Sequence, residues 1–336
     1  MSSERIILDH GSGGRLSQEL IARYFVPRFS NPMLDLLDDG AVFDLDGQRL
    51  AFSTDSYTVT PIFFPGGDIG DLAINGTVND LAMCGATPLY LSAGMIIEEG
   101  FPLADLEKIL ASMQAAAAEA GVTVVTGDTK VVPQGACDGI FINTAGVGRV
   151  PEGVSVSGHK ARPGDRVILS GYMADHGVTI LSEREGLGLT TGLTSDSAPL
   201  NHMVAAMLGA SSQIRVLRDP TRGGVATTLN EIALQSQVGI IFEESLLPLK
   251  EEVRGACEIL GLDPLYLANE GKLLAVVGPK EAEAVLQAMQ KDPHGRRAAV
   301  IGEVTDSHPG RVFMKTVINT TRVVDMLSGE PLPRIC

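Results

Sequence analysis

The chain has 336 residues, with 26 Lys+Arg against 41 Asp+Glu for a formal net charge of −15, and it carries 44% hydrophobic residues, 38 Gly, 18 Pro, 4 Cys and no Trp. That apolar fraction excludes a disordered chain, and the length predicts about two domains, each able to bury its own core. The negative charge excludes nucleic acid and an anionic membrane surface as main partners, because both need clustered Lys and Arg, yet an acidic protein can still hold a polyphosphate through divalent metal.

His10-Gly11-Ser12-Gly13-Gly14 precedes a helix with apolar positions Leu16, Leu20, Ile21 and Tyr24. Consecutive backbone N–H groups ahead of a helix make an anion site. The segment is not G-x-G-x-x-G, and no G-x-x-x-x-G-K-[ST] occurs, which excludes a P-loop NTPase by motif. Ala41–Phe43 and Arg49–Thr54 flank Asp44-Leu45-Asp46-Gly47 and read as a hairpin. Ile69 to Cys84 reads as a helix stopped by Gly85, with Pro88 beyond. In it Asp71, Asn75 and Asn79 are spaced i, i+4, i+8 and form one polar stripe, while Ile69, Leu72, Ala73 and Leu81 face a core. Gly76 costs helix stability relative to Ala, which predicts close approach of a backbone or a ligand there. Leu103, Leu106, Leu110 and Met113 mark a second helix closed by Gly121. Val122–Thr126 then reads as a short strand running into Gly127-Asp128, and Ile140–Val147 as another.

The Gly-, Pro- and Ser-rich stretch Pro151–Pro163 predicts a boundary, giving domains over 1–155 and 156–325 and a tail over 326–336. Beyond it a buried strand restarts at Arg166–Ser170. Helices are expected near 174–185, 199–209, 223–236 and 280–290, strands near 239–243, 272–277, 298–304 and 311–316, and a flexible loop over 187–198. The fold class is α+β in both halves. In the tail, Pro331 and Pro333 hold the chain extended, and a thiol at Cys336 on such an arm can reach into another site. Cys84, Cys137, Cys257 and Cys336 include no C-x-x-C pair, which fits a reducing cytoplasm. No apolar run approaches the roughly 20 residues of a membrane span, no basic-then-apolar leader opens the sequence, and no H-x-x-x-H pair supports a zinc protease.

Five segments place aspartates at element ends or in turns: Asp38-Asp39-Gly40-Ala41, Ser53-Thr54-Asp55-Ser56, Val78-Asn79-Asp80-Leu81, Thr126-Gly127-Asp128-Thr129 and Arg218-Asp219-Pro220-Thr221. Taken singly, each is what a turn or strand end commonly carries. Taken together they suit Mg²⁺, which uses a few carboxylates plus substrate phosphates.

The ordered set HGSGG, DDGAVF, STDSYTVTPIFFPGGDIG, NGTVNDLAMCGATP, GDTKVV, RDPTRGGVA, NEG and the final PRIC resembles the HypE family of hydrogenase maturation proteins, the carbamoyl dehydratases. The resemblance runs from His10 to Cys336 and extends to the superfamily of aminoimidazole ribonucleotide synthetase, selenophosphate synthetase and thiamine-monophosphate kinase. It implies two α+β domains, a homodimer paired through the N-terminal domains, and ATP with Mg²⁺ in the groove between domains and subunits. By motif it implies that Asp39, Asp55, Asp80, Asp128 and Asp219 hold metal. It also implies that His10, Gly11, Ser12, Gly13 and Gly14 close over the phosphates, with Asn75, Asp128 and Arg218 at the nucleotide. Lys130 and Glu270 would act on a carbamoyl group carried by Cys336. The implied partners are a carbamoyltransferase and iron-scaffold maturation proteins that accept the cyanide. Other readings are a small-molecule kinase or a selenophosphate synthetase-like enzyme of the same superfamily, or a non-catalytic nucleotide-regulated carrier. Against the second of these, no cysteine precedes Cys84.

Overall fold

The computed structural model describes residues 5–186 and 192–329. Part of the expected loop over 187–198, and the tail from residue 330 including Cys336, lie outside the described residues. The N-terminal segment forms α1 (Arg15–Leu20), a π-helical turn and α2 (Val26–Phe29). Period-two alternation then builds the first sheet. Strands β1 (Ala41–Leu45) and β2 (Gln48–Tyr57) pair around Asp46 and Gly47, both at positive φ, the conformation a two-residue hairpin turn demands. The short β3 (Phe63–Phe64) and β4 (Gly67–Asp68) lead into α3 (Ile69–Met83), followed by β5 (Thr87–Glu98), α4 (Leu103–Ala120), β6 (Thr123–Val132) and β7 (Ile140–Arg149). The sheet order is β1-β2-β7-β5-β6.

Helices α3 and α4 cover one face of this sheet, packing Ile69, Leu72, Val78, Leu81, Ile109 and Met113 over Ala51, Tyr57, Leu91, Ile140 and Ile142. The opposite face is open and exposes Phe52, Tyr90 and Ile96. Strand β6 is the sheet's edge and is exposed over nearly its whole length, the apolar Val125 and Val131 included.

Helix α3 starts at a capping box: Asp68 Oδ1 accepts the Gly70 N–H at 2.6 Å and Asp71 Oδ1 accepts the Asp68 N–H at 2.9 Å. The helix is buried on nearly all sides, so its polar stripe is not a solvated face. At Gly76 the close neighbour is neither backbone nor ligand. It is the phenol of Tyr57, whose oxygen would lie 2.1 Å from an added Cβ.

Residues 150–165 contain no strand or helix. The second domain follows as β8 (Arg166–Leu169), α5 (Asp175–Arg184), α6 (Asn201–Ala210), β9 (Ile214–Arg218), α7 (Gly224–Ser236), β10 (Gly239–Glu243), α8 (Glu251–Leu260), β11 (Leu274–Val277), α9 (Ala282–Lys291), β12 (Ala299–Thr305), β13 (Val312–Lys315) and β14 (Thr321–Val324). Its seven strands run β14-β13-β10-β12-β8-β11-β9. Strand β11 shows why its sequence is continuously apolar. Leu274 and Val276 pack with Val225 and Leu229 of α7, while Ala275 and Val277 pack with Met203 and Met207 of α6 and Val285 and Met289 of α9. Ala82 and Met83 at the end of α3 join that second cluster, so α3 is also the hinge of contact between domains.

Sequence periodicity located most of the longer elements to within a few residues, but it missed α2, β3, β4, β5, β9, β14 and α8 and cut β6 short. Pro88 and Gly94 break the β5 pattern, and Gly255 interrupts α8, although partner strands and an apolar face override both.

Candidate functional site

Alternation along β2 turns Ser53, Asp55 and Tyr57 toward α3, and Thr54 and Ser56 to the open face. Asp39 sits just before β1, Asp80 on α3, and Asp219 just past β9. Ser53 Oγ lies 2.7 Å from Asp80 Oδ2 and 2.9 Å from the Asp39 carbonyl oxygen, which draws three of the aspartate segments together. Glu270 comes from the loop before β11. Its backbone N–H donates to Asp196 Oδ1 at 3.1 Å, and its carbonyl accepts from Asn79 Nδ2 at 3.4 Å. Asn79 also donates to the Ala198 carbonyl and accepts the Leu200 N–H, so α3 is stitched to the second domain at the base of the groove.

Electrostatics report the same convergence. Burial, and then the charges of Asp219, Asp55 and Asp39, push the Asp80 carboxyl well above its usual range. Burial raises Asp39 as well, against the pull of Arg218. Asp219 is pushed up to about 6, first by burial. Glu270 is raised well above the ordinary value by burial and then by Asp219, Asp196 and Asp55. Five carboxyl groups thus share one poorly solvated groove, and Asp39 Oδ2 and Glu270 Oε1 are buried with no hydrogen-bond partner among the described residues. Mutual repulsion and open acceptor atoms fit a divalent cation. Among the described residues no three acidic, His or Cys side chains form a ready chelate, so such an ion would complete its shell with phosphate oxygens and water.

The other expected site residues fall in different places. Arg218 is not a free phosphate ligand. It is buried, with Nε 3.0 Å from Asp39 Oδ1, Nη2 2.8 Å from Glu231 and Nη1 donating to the Leu37 carbonyl. In the His10–Gly14 segment, the Gly13 N–H donates to Ser17 Oγ, the Gly14 N–H to Ser12 Oγ, and His10 Nδ1 accepts the Ile7 N–H. Gly13 and Gly14 are required by close packing: an added Cβ would lie 2.7 Å from Arg222 Cβ at Gly13 and 2.3 Å from the Leu327 oxygen at Gly14. Gly11 has open space around it.

Asp128 and Lys130 pair with each other at 3.2 Å on exposed β6. Asp128 shares a row with Ser56, Asn143 and Gly94, on the sheet face opposite Asp55. With three strand spacings between β2 and β6, roughly 14 Å, one chain does not bring Asp128 or Lys130 to the acidic groove.

Sequence reasoning passed over Asp196, Lys272 and Tyr57. Lys272 Nζ lies 3.0 Å from Asp196 Oδ2, a buried pair that anchors the Glu270 loop. Burial pushes Asp196 upward, but Lys272 and then His176 hold it below the usual carboxylate range. Lys272 was adjacent to the NEG motif and legible on that ground; Asp196 lies in a loop that carried no signal.

The α3 stripe faces residues 195–200. Asn75 Nδ2 donates to Ser197 Oγ at 3.2 Å, and Asn75 Oδ1 is buried without a partner among the described residues. Burial pushes Asp71 up to about 6. The folded state therefore binds a proton that the unfolded state has released between about pH 4 and 6. Stability falls as pH rises through that window, by at most about 3 kcal/mol above it. Asp71→Asn keeps the acceptor for Asp68. It is expected to raise the denaturation midpoint over the parent protein, and more at pH 8 than at pH 5. An equal effect at both pH values would refute the assignment.

Two α+β domains meeting at an acidic groove define the class of AIR synthase related proteins. The model of that family's N-terminal domain matches residues 37–150, and the C-terminal domain model matches 162–315. Within that class the chain belongs to the HypE carbamoyl dehydratase family. It is 58% identical over 327 residues to the carbamoyl dehydratase HypE of Azotobacter vinelandii, covering 97% of this chain and 96% of that one. To the HypE of Escherichia coli it is 47% identical over 336 residues, covering 98% and 99%. Among solved structures, hydrogenase maturation protein HypE in complex with ATP matches with a TM-score of 0.84 and 54% identity, covering 99% of this chain and 100% of that one. A HypE–HypF complex matches with a TM-score of 0.88 and 50% identity, covering 92% and 99%.

Proposed function

We infer that this chain is an ATP-dependent carbamoyl dehydratase, converting Cys336–S–C(=O)–NH2 to Cys336–S–C≡N, the source of the cyanide ligands of [NiFe]-hydrogenase. The observation that carries the reading is the convergence of Asp39, Asp55, Asp80 and Asp219 on one groove with Glu270, whose buried Oε1 has no hydrogen-bond partner among the described residues. An amide oxygen cannot leave as oxide. The γ-phosphoryl group of ATP passes to that oxygen and releases ADP, after which the C–O bond breaks and phosphate departs. The nitrogen loses both protons as C=N and then C≡N form. The sum is thiocarboxamide plus ATP giving thiocyanate, ADP and phosphate. Mg²⁺, when bound to the aspartates, offsets charge on the transferring phosphoryl group. Glu270 is the base for the N–H protons. The Asp196–Lys272 pair keeps its loop in place.

The route of the tail supports the reading. The Leu327 carbonyl accepts the Arg15 N–H at 2.9 Å, next to the His10–Gly14 segment and Arg222, whose charge acts on Glu270. Eight residues lie between Leu327 and Cys336 in sequence, so a fully extended tail spans at most about 30 Å. The ATP-bound relative supports the nucleotide. The HypE–HypF relative supports a carbamoyltransferase partner that loads the cysteine, and iron-scaffold proteins would take the nitrile. No helix among the described residues is long and apolar enough to cross a membrane.

Asp80→Asn tests the metal assignment. The amide relieves buried repulsion, so the fold should persist. ATP turnover should drop by at least about tenfold and require more Mg²⁺. Unchanged turnover with an unchanged Mg²⁺ requirement removes Asp80 from the site.

The open sheet face and the unpaired β6 edge support a homodimer, since a long apolar edge strand is a template for another chain. A second copy seated there is the arrangement that would give Asp128 and Lys130 a groove to serve. Ile96→Lys with Val131→Lys, both exposed in one chain, should yield monomers by sedimentation. A persistent dimer would place the interface elsewhere.

A further inference from the structure

A cavity of about 370 Å³ is walled on one side by the loop that carries Asp196. Its walls hold four fixed positive charges, Lys250, Lys272, Arg296 and Arg297, against two carboxylates, Asp175 and Asp196. The two lysines are spoken for: Lys250 Nζ lies 2.6 Å from Asp175 and Lys272 Nζ 3.0 Å from Asp196. The two arginines have no carboxylate partner among the described residues. Arg297 stacks on the ring of Tyr172, 5.7 Å from its centroid, and Lys250 stands 5.6 Å from the same ring. That packing orders both cations at modest cost. The uncompensated charge is therefore two positive units, in a chain whose net charge is −15.

We propose that this cavity is a binding site for a doubly charged, phosphate-bearing small molecule. Three observations support that class. Arg296 and Arg297 both line the cavity, and guanidinium offers the forked N–H donors that recognise phosphate. The residual charge matches a phosphate dianion. The volume is at the lower end for small-molecule sites, larger than a bare anion needs and too small for a second domain or helix. The floor of the cavity, residues 194–198, is also the loop that touches Asn75 and Glu270, so the site adjoins the groove through Asp196 without sharing its open acceptors.

The experiment is calorimetric titration of the full-length protein, first saturated with Mg²⁺ and a non-hydrolysable ATP analogue to fill the groove. The probes are inorganic phosphate and glycerol 3-phosphate, with sodium chloride at matched ionic strength as control. One saturable site per chain, with Kd of about 1 mM or tighter, is expected. Arg296→Gln with Arg297→Gln should weaken it at least about tenfold while analogue binding is unchanged. Both arginines are exposed, so this variant should fold. Tighter binding of the ester assigns the site to a phosphate-bearing metabolite, and equal binding assigns it to phosphate itself; either supports the site. No saturable binding, or binding that the double variant leaves intact, overturns it. If the analogue itself fails to bind, that counts against the ATP-dependent reading of the groove, and the comparison between parent and double variant still decides this site.

Discussion

Replacing Cys336 by Ala is expected to abolish nitrile formation completely, with nucleotide binding and fold preserved. No other thiol can stand in. Burial, and then the carboxylates of Asp39 and Asp80, push the Cys84 thiol far up, out of the reactive range. Cys257 is buried and raised to about 11. The Cys137 thiol is raised by burial and by Glu98 and Asp138. Thiolate is the reactive form, and all three environments disfavour it. Assayed as ATP-dependent cyanide transfer to an iron acceptor in the presence of the carbamoyltransferase, Cys336→Ala should give no product. Full transfer by this variant would end the terminal-cysteine mechanism.

Glu270→Gln should separate catalysis from binding. General-base catalysis typically contributes about 10²–10⁴-fold, and dehydration should fall by that order while carbamoylation of the tail and ATP binding persist. The same substitution removes a buried carboxyl that burial and three neighbouring carboxylates hold far above its usual range. Stability should therefore stay level or rise, most clearly near neutral pH. A merely structural Glu270 predicts the reverse pattern, lower stability and an activity loss that follows it. Equal catalytic rates for parent and variant would remove Glu270 as the base.

The groove was largely legible in the sequence because its parts are short motifs at element ends. DDGA, STDS, TVND, RDPT and NEG each carry a carboxyl close to an element's end: Asp39 before β1, Asp55 near the end of β2, Asp80 in the last turn of α3, Asp219 after β9 and Glu270 before β11. What sequence could not supply was the face and the neighbour. Asp128 looked equivalent to Asp55 because both follow an apolar strand, yet one residue of register puts them on opposite sides of the sheet. Arg218 carried the appearance of a phosphate ligand, but Asp39 and Glu231 claim it. Gly76 pointed to a close backbone or ligand, and its close neighbour is the Tyr57 phenol; Gly13 and Gly14 pack against Arg222 and Leu327. The Asp196–Lys272 pair depends on a contact between residues 76 positions apart, which no local pattern encodes.

The central claim is that the carbamoyl group is dehydrated while attached to Cys336 at the expense of ATP. It is tested most directly by the mass of the C-terminal peptide after incubating the protein with its carbamoyltransferase partner, a carbamoyl donor, Mg²⁺ and ATP. The peptide should first gain a carbamoyl increment on Cys336, which then converts to a nitrile increment only when ATP is present at the dehydration step. A carbamoyl increment that persists in full with ATP, or a nitrile increment that forms without it, would contradict the account.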